Sequence, residues 1–113
     1  MKTRKELQDE YKQLKPPMGV FQIRNTSNGK VLIDSSVDMK SRWNRHRMEL
    51  KFGKHQNLAL QNDWNEQGEE NFVFEVLSEI EPKDGDKVDY PKELSTLQSM
   101  IAEDLNLDDD QVY

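Results

Sequence analysis

The sequence predicts an α+β domain: a small three-stranded antiparallel sheet flanked by helices. Two short segments rich in β-branched and apolar residues, Val20 to Arg24 and Lys30 to Ile33, are separated by Asn25-Thr26-Ser27-Asn28-Gly29, whose Asn-Gly pair suits a tight hairpin turn. A later segment, Asn71 to Leu77, alternates large apolar residues with smaller or charged ones, as a half-buried strand does. Between and after these strands lie stretches with helical caps and narrow apolar stripes.

In chain order, Thr3 to Lys15 places Leu7, Tyr11 and Leu14 on one stripe of an otherwise charged helix, which Pro16-Pro17 ends. The hairpin follows. Asp38 is a good N-cap and Gly53 a good C-terminal stop for a helix of about fourteen residues, with Trp43 and Leu50 on its core face. Arg42, His46 and Glu49 recur at spacings of four and three, so they share a different face from Trp43. His55 to Trp64 reads as a second helix ending near Gly68, with Leu60 and Trp64 on its buried side. After the third strand, Pro82 to Asp89 reads as a connecting loop. Pro91 suits the first turn of a last helix striped by Leu94, Leu97 and Ile101. The domain is thus expected over 18–105, behind an N-terminal helical extension (1–17) and ahead of an acidic, disordered tail (106–113).

Composition limits the possibilities. A chain of 113 residues suits one domain, and 34% hydrophobic with 34% charged residues leaves only a thin core. There is no cysteine, which excludes disulfides and thiolate metal sites. No apolar run reaches membrane-spanning length and Met1-Lys2-Thr3-Arg4-Lys5 leads into polar sequence, so a soluble cytoplasmic protein is expected. The net charge of −6 is unevenly spread. Residues 1–18 carry five basic and three acidic groups, 19–60 eight and three, and 61–113 three and sixteen, or +2, +5 and −13. A basic centre beside an acidic end suggests a phosphate-facing surface next to a repelling one.

The hairpin and the basic helix after it carry a resemblance. Gly19-Val20-Phe21, Leu32-Ile33-Asp34, the run Arg42-Trp43-Asn44-Arg45-His46-Arg47, Gly53-Lys54-His55, Leu60-Gln61-Asn62-Asp63-Trp64 and Gly68-Glu69-Glu70-Asn71-Phe72 stand in the order and spacing of a known domain. The chain resembles the GIY-YIG nuclease family over roughly residues 18–80 and more weakly to about 105. The resemblance implies that Arg42 matches the family's catalytic arginine, His46 a histidine or tyrosine assisting proton transfer, and His55 a histidine near the active cleft. Several chemical positions depart from the family. Its two tripeptides each supply a tyrosine, where this chain has Phe21 and Leu32, neither of which can hold or move a proton. Asp34 replaces a glycine and would repel phosphate. A metal-binding glutamate is expected on the last helix, where the best register places Gln98; Glu93 lies on another face.

These departures imply a degenerate nuclease domain that binds nucleic acid, DNA first, weakly through Arg42, Arg45, His46 and His55, with Arg47 and Lys54 as further phosphate contacts. No metal is expected at Gln98. The alternatives are an active, Mg2+-dependent endonuclease with Asp34 or Glu93 as replacement ligand, and a protein-interaction module for which the acidic tail is the supporting feature.

Overall fold

The computed structural model describes residues 17–81 and 89–113; the expected N-terminal helix and most of the expected loop from Pro82 lie outside them. Three strands, β1 (Met18–Asn25), β2 (Val31–Ser36) and β3 (Phe72–Ile80), form one antiparallel sheet in the order β2-β1-β3. The helices are α1 (Met39–Lys51), α2 (Leu58–Gln67) and α3 (Tyr90–Leu105). Among the described residues the α+β expectation holds, with strand ends moved by one to three positions and the helix expected from His55 to Trp64 found three residues later.

Local chemistry explains most boundaries. The hairpin closes over Thr26–Gly29 with Asn25 N–H donating to the Lys30 carbonyl (2.9 Å), and Gly29 takes φ 76°. That left-handed conformation carries little steric cost for glycine. Asp38 caps α1 by accepting from the Ser41 N–H, Asn57 caps α2 from Leu60 N–H, and Asp89 caps α3 from Lys92 N–H. Gly19 has a different reason to be glycine: a Cβ there would collide with the carbonyl oxygen of Ser78 on β3. The close β1–β3 approach therefore excludes any side chain.

Alternation along the strands decides which side chains meet α1. Phe21 pairs with Asp34 and Ile23 with Leu32, so these four share one face of the sheet. Phe21, Ile23, Met39, Leu50, Leu60, Trp64 and Phe72 form the buried core on that face, with Leu32, Trp43, Phe74 and Tyr113 packed against it. Trp43 is half-buried and stacks on Phe74 with ring centroids 5.8 Å apart. On α3, Leu94 is buried and Leu97 and Ile101 are partly so, as the stripe predicted.

The expectation of a disordered tail over 106–113 is corrected. Asp108 and Gln111 form a reciprocal capping box around a short 3-10 turn, Asp109–Gln111. Val112 then forms a parallel bridge with Val31 on the outer edge of β2, and Tyr113 N–H donates to the Val31 carbonyl (3.0 Å). The Tyr113 hydroxyl donates to Asp63 Oδ2 (2.7 Å) and accepts from Asn25 Nδ2 (2.9 Å). Local composition reads three aspartates as solvated; the partners that order this segment lie on β1, β2 and α2.

Candidate nucleic-acid interface

Asp34, on the α1-facing side of β2, projects toward the helix that follows. Its Oδ2 is 2.8 Å from His46 Nε2 and 3.8 Å from Arg42 Nε, while Oδ1 accepts from the Ser35 N–H at 2.8 Å. His46 Nδ1 is in turn 2.8 Å from His55 Nε2, and the two rings stack with centroids 5.1 Å apart. The His46 ring also meets the edge of Phe21 at 6.2 Å.

The direction of this chain of hydrogen bonds is set at its buried end. Asn57 N–H donates to His55 Nδ1 (3.0 Å), so that nitrogen carries no hydrogen and neutral His55 keeps its hydrogen on Nε2. Nε2–H then donates to His46 Nδ1, which leaves the hydrogen of neutral His46 on Nε2, facing Asp34. Gln61 fixes the start: its Oε1 accepts from the His55 N–H (3.1 Å) and its Nε2 donates to the Leu50 carbonyl (2.9 Å). One backbone amide at a helix start thus orients a carboxylate on a strand.

Electrostatics follow the same geometry. Burial pushes the Asp34 carboxyl up, but the hydrogen bonds from His46 and Ser35 N–H, with the attraction of His46 and Arg42, outweigh it and hold the group below the usual carboxylate range. Burial, reinforced by the proximity of His46, pushes His55 below the ordinary histidine value.

The structure links Arg42, His46 and His55 through Asp34, which contacts Arg42 and His46, and through the His46–His55 bond. The other arginines of α1 are differently engaged. Arg45 pairs with Glu49 one turn on (3.1 Å). Arg47 donates from both Nε and Nη2 to Glu69 Oε1 (3.1 and 2.7 Å) and lies over the Trp43 ring, so it belongs to the opposite side of the helix from Arg42. Lys54 is exposed just before His55. Every arginine of α1 therefore faces a carboxylate, and the Arg42 contact is the longest of the three.

Gln98 reaches β2 beside the site. Its Nε2 donates to the Ile33 carbonyl (3.1 Å) and its Oε1 accepts from Ser35 Oγ (2.7 Å), which places the side chain against the two neighbours of Asp34. Both amide atoms are thereby used to dock α3 on the edge strand. Glu93 lines a groove with Ile80, Lys92, Leu97 and Met100 instead. Among the described residues no three His, Cys, Asp or Glu side chains converge on a point that would hold an ion. Among the described residues this donor set does not fit a preformed magnesium site: the Asp34 carboxylate is already bonded to His46, and both amide atoms of Gln98 are spent on β2.

Sequence reasoning missed the direct His46–His55 bond and the supporting roles of Asn57 and Gln61. Nothing local in the sequence links the Asn57 amide to a histidine ring.

No protein-family model matches the chain. Over 64 residues, 55% of its length, it is 42% identical to Intron-associated endonuclease 1 of Enterobacteria phage T4, and it spans 25% of that protein. The catalytic domain of intron endonuclease I-TevI, solved as a mutant, superposes with a TM-score of 0.66 at 30% identity, covering 80% of this chain and 84% of that one. A second structure of the catalytic domain of homing endonuclease I-TevI gives 0.64 at 29% identity, covering 79% of this chain and 88% of that one. No helix among the described residues is long and apolar enough to cross a membrane. The hairpin landmarks, the Arg42–His46 face of α1 and the likeness to these catalytic domains over four-fifths of its length together show that the chain belongs to the GIY-YIG nuclease family.

Proposed function

We propose that this GIY-YIG endonuclease-like domain binds the phosphates of nucleic acid, DNA first, through Arg42 with help from Arg45 and Lys54, and does not cleave efficiently. The observation that carries the reading is the set of groups around Arg42. The first tripeptide's aromatic residue, Phe21, is fully buried among carbon and imidazole neighbours, and its cross-strand neighbourhood offers Leu32 and Asp34. Neither Phe21 nor Leu32 can hydrogen-bond a water or accept its proton. His46 has both ring nitrogens engaged, with Asp34 and with His55, so it has no free nitrogen for an attacking water in this arrangement. What remains is binding chemistry: a half-exposed guanidinium at the mouth of the cleft suits a phosphate oxygen.

The T4 relative is named as an endonuclease, and an active enzyme with replaced groups is the reading to exclude. Incubating the purified protein with supercoiled plasmid and magnesium or manganese is expected to give no nicking above background. Nicking that disappears in Arg42→Ala would overturn the proposal.

A further inference from the structure

Asp34 is the residue at which this site differs most from one built to receive phosphate. It stands on the strand position directly opposite Phe21, and the pleat aims it at α1 rather than at solvent. Three groups hold its carboxylate: the Ser35 amide on Oδ1, and His46 with Arg42 on Oδ2. Its side chain is 27% exposed and that of Arg42 41%, so the pair is partly open to solvent. The His46 donor is kept in place by His55 and, behind it, by the Asn57 amide. Because this relay of donors has one direction, the carboxylate cannot be released by a simple exchange of hydrogens between the rings.

We propose that Asp34 is the affinity-determining residue of the anion site, an internal carboxylate that competes with an incoming phosphate for Arg42. This rests on the reading that Arg42 contacts phosphate. A carboxylate and a phosphate offer similar oxygens to a guanidinium, and both cannot take the same face of it. The distances grade the competition. Arg45 and Arg47 are closed at 3.1 and 2.7 Å by Glu49 and Glu69, whereas Arg42 is held at 3.8 Å by an oxygen already bonded to His46. Arg42 is the arginine that phosphate can most readily take, and Asp34 sets how readily. The acid also leaves a negative charge beside the bound phosphate unless the side chain swings away, so its effect persists after displacement.

The test is a titration of a fluorescein-labelled DNA duplex at low salt with wild type, Asp34→Asn, Asp34→Gly, Glu70→Gln, Arg42→Ala and the double variant Asp34→Asn with Arg42→Ala. Glu70 is exposed and lies on another element, the 3-10 turn before β3, so it serves as the net-charge control. Both Asp34 variants are expected to bind about fivefold to tenfold more tightly than wild type, from removing one unit charge about 4 Å from Arg42. Glu70→Gln should gain about twofold or less because screening weakens its reach. In the Arg42→Ala background the Asp34→Asn gain should vanish. If both Asp34 variants bind like wild type while Arg42→Ala binds more weakly, the competition is refuted and the phosphate reading stands. An equal gain from Glu70→Gln and Asp34→Asn refutes it too, since net charge then suffices. If Arg42→Ala binds like wild type in both backgrounds, the phosphate reading itself fails and carries this proposal down with it. The glycine variant guards against a folding defect peculiar to asparagine, and circular dichroism of each variant confirms that the compared proteins are folded.

Discussion

At the turn end of the hairpin, Asn25 is fully buried: its Oδ1 accepts from Ser27 N–H and Oγ, and its Nδ2 donates to the Tyr113 hydroxyl, which donates onward to Asp63. At the other end, Asp34, His46 and His55 make a network of similar size, but with a carboxylate and an arginine at the rim. Both satisfy their buried polar groups, as the absence of any unpartnered buried side-chain atom among the described residues attests. The difference lies in charge and access. The turn network closes on neutral donors and one aspartate, and pins the end of the chain to the sheet; the open-end network keeps an ion pair in contact with water. The phenol that the first tripeptides lack is present in Tyr113, at the wrong end of the hairpin for the cleft. Similar groups are therefore closed off at one end and partly open to solvent at the other.

That contrast predicts a graded set of outcomes. The largest is Asn25→Ala, which removes a fully buried amide and strands the Ser27 and Tyr113 groups bonded to it. It should lower stability by about 2–3 kcal/mol in urea denaturation, with little change in the salt dependence of DNA binding. Tyr113→Phe should cost about 1–2 kcal/mol by leaving Asp63 and Asn25 without the hydroxyl. It should also alter the alkaline limb. Burial and the Asp63 bond raise the Tyr113 phenol from 10.0 to about 12, so the folded chain keeps a proton that the unfolded chain loses above pH 10. Stability therefore falls as pH rises from 10 toward 12, and the phenylalanine variant should lose that part of the decline.

The open end should report on the acid side instead. His55 is depressed below 6.5 by burial and by its closeness to His46, with Glu49 and Asp34 opposing, so the unfolded state takes up a proton before the folded one does. Stability should decline as pH falls below 6.5, and His55→Gln should flatten that slope in thermal midpoints measured from pH 8 to 5. Asp34 acts in a lower window. Its depressed carboxyl contributes stability above the unfolded value of 3.8, and that contribution is lost as pH falls through the folded value, a loss that Asp34→Asn should not show. The smallest stability effect belongs to Arg45→Ala, whose pair with Glu49 is largely exposed. It should move stability by less than about 0.5 kcal/mol. It should nevertheless reduce the salt slope of DNA binding by about one unit if Arg45 contacts phosphate.

The fold was legible because its signals are local. Asn28-Gly29 marks the turn, Asp38 marks a helix start, and the four-and-three spacing of Arg42, His46 and Glu49 separates their face from that of Trp43. The site was half legible. The family resemblance singled out the two histidines and the departure at Asp34, but the Phe21–Asp34 pairing is set by the hairpin register and the ring-to-ring bond by how the turn at Gly53 returns the chain, where Gly53 takes φ 72°. The C-terminal clasp was illegible for a different reason. Tyr113 meets Asn25 across 88 positions, and a run of aspartates carries no local trace of such a partner. One practical consequence is that deleting 106–113 is no neutral way to remove three negative charges, since it also removes the Tyr113 hydroxyl from Asp63 and Asn25.

The central claim, that Arg42 is a phosphate contact rather than a solvated or structural arginine, is tested most directly by the salt dependence of DNA binding. The logarithm of the association constant of wild type and Arg42→Ala for one duplex is measured against the logarithm of salt concentration. Loss of one phosphate contact should weaken binding at every salt and make the slope shallower by about one unit. Parallel lines of equal affinity would contradict the account, because Arg42 would then make no phosphate contact.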